Sequence, residues 1–95
     1  MVMWFNVEEA RNFLLKNLSV YTLRPKTRRE GKEVLSYGGF GKKGVVYVVF
    51  VKEINDDSEL EEFVTESGFN SVEEWLEKAG ESRYLYYVML LPDRM

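Results

Sequence analysis

The chain predicts an α+β fold: a strongly curved, mostly antiparallel sheet or small β-barrel of about five or six strands, with three helices at its periphery. Three observations carry that reading. The segments follow one another as helix, strand, strand, strand, helix, helix, strand, and Met3-Trp4-Phe5 offers a further strand. Consecutive strands are joined by short loops, which suits antiparallel neighbours. The length of 95 residues, with no linker-like stretch, sets a single domain over 1–95 around one core.

Asn6 precedes Val7-Glu8-Glu9-Ala10, and apolar residues recur at Val7, Ala10, Leu14 and Leu18. That spacing marks one helical face with acidic residues in the first turn, a helix over about 7–17. Val20-Tyr21-Thr22-Leu23 is β-branched and aromatic and stops at Arg24-Pro25, where proline cannot continue a ladder. After the basic stretch Lys26 to Gly31, Lys32 to Tyr37 reads as a second strand and Gly38-Gly39-Phe40-Gly41-Lys42-Lys43-Gly44 as a loop. Val45 to Val51 is apolar at both parities, so this strand is expected to be covered on both faces. Ser58 and Ser71 each stand three residues before a glutamate, and each segment is followed by glycine; the capping-box spacing predicts helices over about 59–67 and 72–79. Tyr84 to Leu91, closed by Pro92, supplies the last strand.

A composition of 45% hydrophobic and 15% aromatic residues supplies enough apolar surface to fold. The absence of cysteine and histidine removes disulfides, thiolate nucleophiles, imidazole bases and the usual zinc ligands, so no metal or other cofactor is expected. The longest apolar run, Gly44 to Val51, is far short of the roughly 20 residues of a membrane helix. The N-terminus lacks the charged leader and small-residue cleavage site of a secretory signal, so a cytoplasmic setting is expected. A chain with no glutamine or cysteine and 31% charged residues also suits a heat-adapted protein.

The net charge of −3 conceals a division. Lys16 to Lys43 holds eight basic residues against two acidic ones, +6, while the remainder holds five against fourteen, −9. Arg24, Lys26, Arg28 and Arg29 lie within six residues, with Thr27 among them. Arginine forks hold phosphates in bidentate fashion, lysine adds a point charge and threonine a hydroxyl donor. The glycine-rich loop adds Lys42 and Lys43, and its neighbours Tyr37 and Phe40 are of a type that stacks on bases. Two readings stay open for these cations, a nucleic-acid contact and a solvated loop paired with the acidic helices. Gly41-Lys42-Lys43-Gly44 is not a phosphate-binding P-loop, because the spacing and the Lys-Ser/Thr ending are missing. Trp4, Trp75, Tyr84, Tyr86 and Tyr87 read as core first and stacking platforms second. Glu59, Glu61, Glu62, Glu66, Glu73, Glu74 and Glu77 read as a solvated face without the pattern of a calcium loop.

Leu18-Ser19-Val20-Tyr21-Thr22-Leu23-Arg24-Pro25, the glycine-bounded strand Val45 to Val51, and Ser67-Gly68-Phe69-Asn70-Ser71-Val72-Glu73-Glu74-Trp75-Leu76 follow a leading helix and precede a last strand. This order resembles the ASCH (activating-signal-cointegrator homology) domains of the PUA-like superfold, over nearly the whole chain. The resemblance implies a small barrel with peripheral helices, a cleft beside it, and RNA binding; some members resemble amidohydrolases of acylated pyrimidine nucleosides or ribonucleases. Laid over this chain, the family's Gly-x-Lys-x-x-Glu-x-Arg signature places Asn17, Ser19 and Thr22 at the Gly, Lys and Glu positions and keeps only Arg24.

The expectation is therefore a module that binds RNA or another nucleic acid through Arg24, Lys26, Thr27, Arg28, Arg29, Lys42 and Lys43, with Tyr37 and Phe40 as stacking groups. A hydrolase acting on a small nucleoside or nucleotide is the alternative: Thr22 or Thr27 would position water, Glu53 would act as base, and Lys16 or Lys26 would replace the missing lysine. Ser19 at the lysine position favours binding over catalysis. A protein-interaction domain, its acidic helices meeting a basic partner, is the third.

Overall fold

In the computed structural model, which describes residues 2–5, 7–28, 30–36 and 44–92, nine elements follow in order. They are β1 (Val2–Trp4), α1 (Glu8–Asn17), β2 (Ser19–Arg24), β3 (Gly31–Ser36), β4 (Gly44–Glu53), two 3₁₀ segments (Asp57–Glu62 and Val64–Glu66), α2 (Val72–Ala79) and β5 (Tyr84–Leu90). α1 buries Ala10 and Leu14, four residues apart on one face. It stops at Leu18, whose φ of 69° is left-handed and whose N–H reaches the Leu14 carbonyl at 2.8 Å. This closure is one that glycine usually makes.

The five strands form one sheet in the order β1-β3-β4-β5-β2. β3, β4, β5 and β2 run antiparallel to their neighbours, and β1 adds a parallel edge to β3. Val48, Val88 and Val20 stand side by side on three adjacent strands and are fully buried. α1 covers this face, with Met3, Phe5, Leu35, Val46 and Tyr86 completing the core. Among the described residues, the opposite face is covered only toward the Glu53 end of β4. There Leu23 and Leu85 pack under Ile54, Leu60, Phe69 and Trp75, contributed by the 3₁₀ segments, α2 and their connections. A register shift between Phe50 and Lys52 bends β4 where that second core begins.

The antiparallel α+β architecture is as expected from the sequence, but three details differ. The sheet is not closed into a barrel: β1 and β2 end the strand order and no ladder joins them. The two edges approach through side chains instead, with the Arg24 guanidinium carbon 4.9 Å from the centroid of the Phe5 ring. β4 is not covered on both faces either, since Tyr47 is 41% and Val51 36% exposed; the helices pack at one end of the sheet and leave the rest of the outer face open. The helix expected over 59–67 is two 3₁₀ segments broken at Phe63. The cap is Asp56 rather than Ser58: its side chain accepts from Ser58 N at 3.0 Å while the Glu59 carboxylate accepts from Asp56 N at 2.8 Å. Ser71 does cap α2, accepting from Glu74 N at 3.2 Å. No helix among the described residues is long and apolar enough to cross a membrane.

Candidate functional site

Pro25 has no N–H to extend the ladder, so β2 ends at Arg24, paired with Tyr84 on β5. β2 is also the edge of the sheet, with α1 and the Val64–Glu66 segment lying against it. The connection after that segment meets α1 closely: a Cβ on Gly68, whose φ is +92°, would lie 2.4 Å from the Glu9 carbonyl oxygen. Only glycine allows this approach, and it draws the two helical layers together around the end of β2.

Between them lies a cleft of about 220 Å³. Its apolar wall includes Phe5, Ala10, Phe69 and Trp75, and its polar groups are Thr22, Arg24, Lys78 and Ser82. The rings of Phe69 and Trp75 are stacked, 15° from parallel with centroids 6.5 Å apart. Arg24 lies over Phe5, and its Nε is buried with no hydrogen-bond acceptor. Burial, and secondarily repulsion by Arg28, lowers the Arg24 pKa to about 10. Neither Arg24 nor Lys78 pairs with a carboxylate among the described residues. Among the described residues, no acidic side chain lines the cleft. An anionic group joined to a flat apolar one matches such a surface: the anion supplies acceptors to the cations, and the ring fills the aromatic side.

The residues singled out from sequence fall in different places. Arg24 and Thr22 are on the cleft wall. Lys26 and Thr27 are exposed on the following loop. Arg28 turns to an ion pair with the buried Glu33, while its backbone N–H donates to the Tyr86 hydroxyl at 2.6 Å and its carbonyl accepts from that hydroxyl at 3.3 Å. Glu30 accepts from Phe50 N at 2.9 Å, so the basic loop is tied back onto the sheet at two points. Glu53 is exposed at the end of β4. It stands across Tyr84 from Arg24, two strand spacings or about 10 Å away, and does not line the cleft. Arg29, Tyr37, Phe40, Lys42 and Lys43 lie outside the described residues.

The sequence reading missed Lys78, Ser82, Phe69 and Phe5 as cleft residues. A signal was present in α2, where Trp75, Lys78 and Ala79 are spaced to share one helical face, and all three line the cleft. In comparisons with known proteins, the chain matches no family model, no curated protein and no solved structure.

Proposed function

We propose that the chain is a cytoplasmic module that binds RNA, or another nucleic acid, and seats one nucleotide in the cleft between α1 and α2. The ASCH/PUA-like resemblance points to the same function and, as part of the same proposal, relates the curved sheet to that superfold's small barrel. One observation carries the reading: the Arg24 guanidinium lines the cleft over Phe5 and pairs with no carboxylate among the described residues. A phosphate in the cleft would give this guanidinium the charged acceptor it lacks. Lys78 adds a second positive charge, the hydroxyls of Thr22 and Ser82 give the ligand further hydrogen-bonding groups, and the small exposed parts of Phe5, Phe69 and Trp75, otherwise packed in the core, give the cleft an apolar side. Exposed Lys26 extends the positive surface along the loop after β2, where Arg29 follows in sequence, and Lys42 and Lys43 add to the same charge block.

Hydrolysis has less support, because the cleft has a cationic lining and, among the described residues, no carboxylate to serve as general base. The test is a salt titration of binding to a short single-stranded RNA, read by fluorescence anisotropy. Affinity should fall with salt, and Arg24→Met should weaken binding at least about 10-fold and flatten the log–log slope by roughly 0.7 to 1. Absence of binding at low salt, or a variant that binds like the wild type, overturns the reading.

A further inference from the structure

A cleft of about 220 Å³ is smaller than the roughly 300–1,000 Å³ pockets that enclose drug-sized molecules. It takes at most one nucleotide, not a run of them. Its charged lining among the described residues is of one sign, since Arg24 and Lys78 face it and no carboxylate does. Each of these cations lacks a carboxylate partner among the described residues.

Two unmatched positive charges at one small site are better balanced by a dianion than by a monoanion. An internal phosphodiester carries one negative charge. A terminal phosphomonoester carries about −1.5 to −2 at pH 7, with its second proton lost near pH 6. It also presents three acceptor oxygens, enough for the guanidinium, the ammonium and a hydroxyl from Thr22 or Ser82 at once. A terminal nucleotide, moreover, leaves a confined cleft through one chain connection, where an internal one needs two.

From this juxtaposition of two unpaired cations with an aromatic wall in a one-nucleotide cleft, we infer that the site recognises a nucleoside phosphomonoester, either the phosphorylated end of an RNA strand or a free mononucleotide. The inference rests on the nucleotide-binding reading above and narrows it. The positive potential left at Arg24 agrees with it: burial and the neighbouring Arg28 disfavour its charged form, a penalty that a dianion relieves.

The experiment compares one short RNA sequence bearing a 5′-phosphate, a 3′-phosphate or hydroxyls at both ends, together with adenosine 5′-monophosphate and adenosine as competitors. An end-phosphorylated strand should bind about 10-fold or more tightly than the hydroxyl-ended one. That advantage should shrink as pH falls below about 6 and the phosphate takes up its second proton. Arg24→Met should abolish it, and Lys78→Met, at an exposed position, gives an independent check should the first variant fold poorly. Competition by the monophosphate but not by adenosine assigns the free nucleotide as a ligand, whereas an advantage confined to strands assigns the strand end. Equal affinity for phosphorylated and hydroxyl-ended RNA overturns the inference while leaving RNA binding intact; absence of binding to every probe overturns both.

Discussion

Replacing Arg24 with methionine keeps an unbranched apolar stem against Phe5 and deletes a guanidinium whose Nε has no acceptor. Its pKa is lowered from the usual guanidinium value to about 10 by burial first and Arg28 second. At about 1.36 kcal/mol per pH unit, that displacement corresponds to ~3 kcal/mol of penalty on the charged form in the folded state. The stack on Phe5, worth about 0.5–2 kcal/mol, is lost with the charge. The balance leaves the free variant more stable than the wild type by about 1–2 kcal/mol, a rise in Tm on the order of 5–10 °C for a domain of this size. Ligand affinity should move the opposite way, because a hydrogen bond to a charged group contributes about 1.5–3 kcal/mol, or roughly 10- to 150-fold in Kd. Thermal and urea unfolding at pH 7 read the first effect, and anisotropy with single-stranded RNA reads the second. A residue that costs stability yet confers binding is a site residue in the strict sense. A variant that loses more than about 1 kcal/mol of stability while binding RNA unchanged would show that Arg24 is a structural cation and refute the reasoning.

Three further perturbations test the frame around the cleft. Gly68→Ala combines a φ of +92° with a Cβ placed 2.4 Å from the Glu9 carbonyl oxygen, so it should cost about 2–4 kcal/mol in urea unfolding and loosen the cleft; a change under ~0.5 kcal/mol would contradict the close approach. Leu18→Gly relieves a left-handed residue at the end of α1 that is 58% exposed, and should stabilise the protein by about 1 kcal/mol; a destabilised variant would mean that Leu18 contributes packing instead. Glu59 has its carboxyl held below the usual 4.5 by its bond to Lys52 and then by backbone donors at Asp56 and Asn55. A lowered folded-state value contributes stability above about 4.5 that is lost as pH falls through the folded value. Glu59→Gln should therefore be less stable than wild type at neutral pH and converge with it in acid, and a gap independent of pH would show that the ion pair is not its source.

Much of the frame was legible because its signals are local. The 3.6-residue recurrence of Ala10 and Leu14 marked α1, Pro25 marked the end of β2, and Ser71 marked the start of α2. The cap of the first 3₁₀ segment was harder, since Asn55, Asp56, Asp57 and Ser58 all have capping side chains and only the three-dimensional turn chooses Asp56. β4 misled for a different reason. Its apolar residues at both parities reported hydrophobicity, not the extent of the layer above them, and α2 with the 3₁₀ segments reaches only the Glu53 end. At the cleft, Arg24 could be found because a strand end positions it. Arg28 shared the same run of charge but is matched to Glu33 across the loop, a pairing that a charge count does not register. Lys78 comes from an element more than fifty residues away and joins Arg24 through tertiary packing, of Trp75 with Leu23 in the second core and of Gly68 against Glu9.

The most direct test of the central claim is nuclear magnetic resonance mapping of a short single-stranded RNA on the intact protein, following the Arg24 Nε–H and the Trp75 indole N–H. Arg24 has an unpaired buried Nε and Trp75 forms part of the same wall, so both signals should shift together and saturate with the same Kd. Shifts confined to the open face around Tyr47 and Val51, with Arg24 and Trp75 unmoved, would contradict the account.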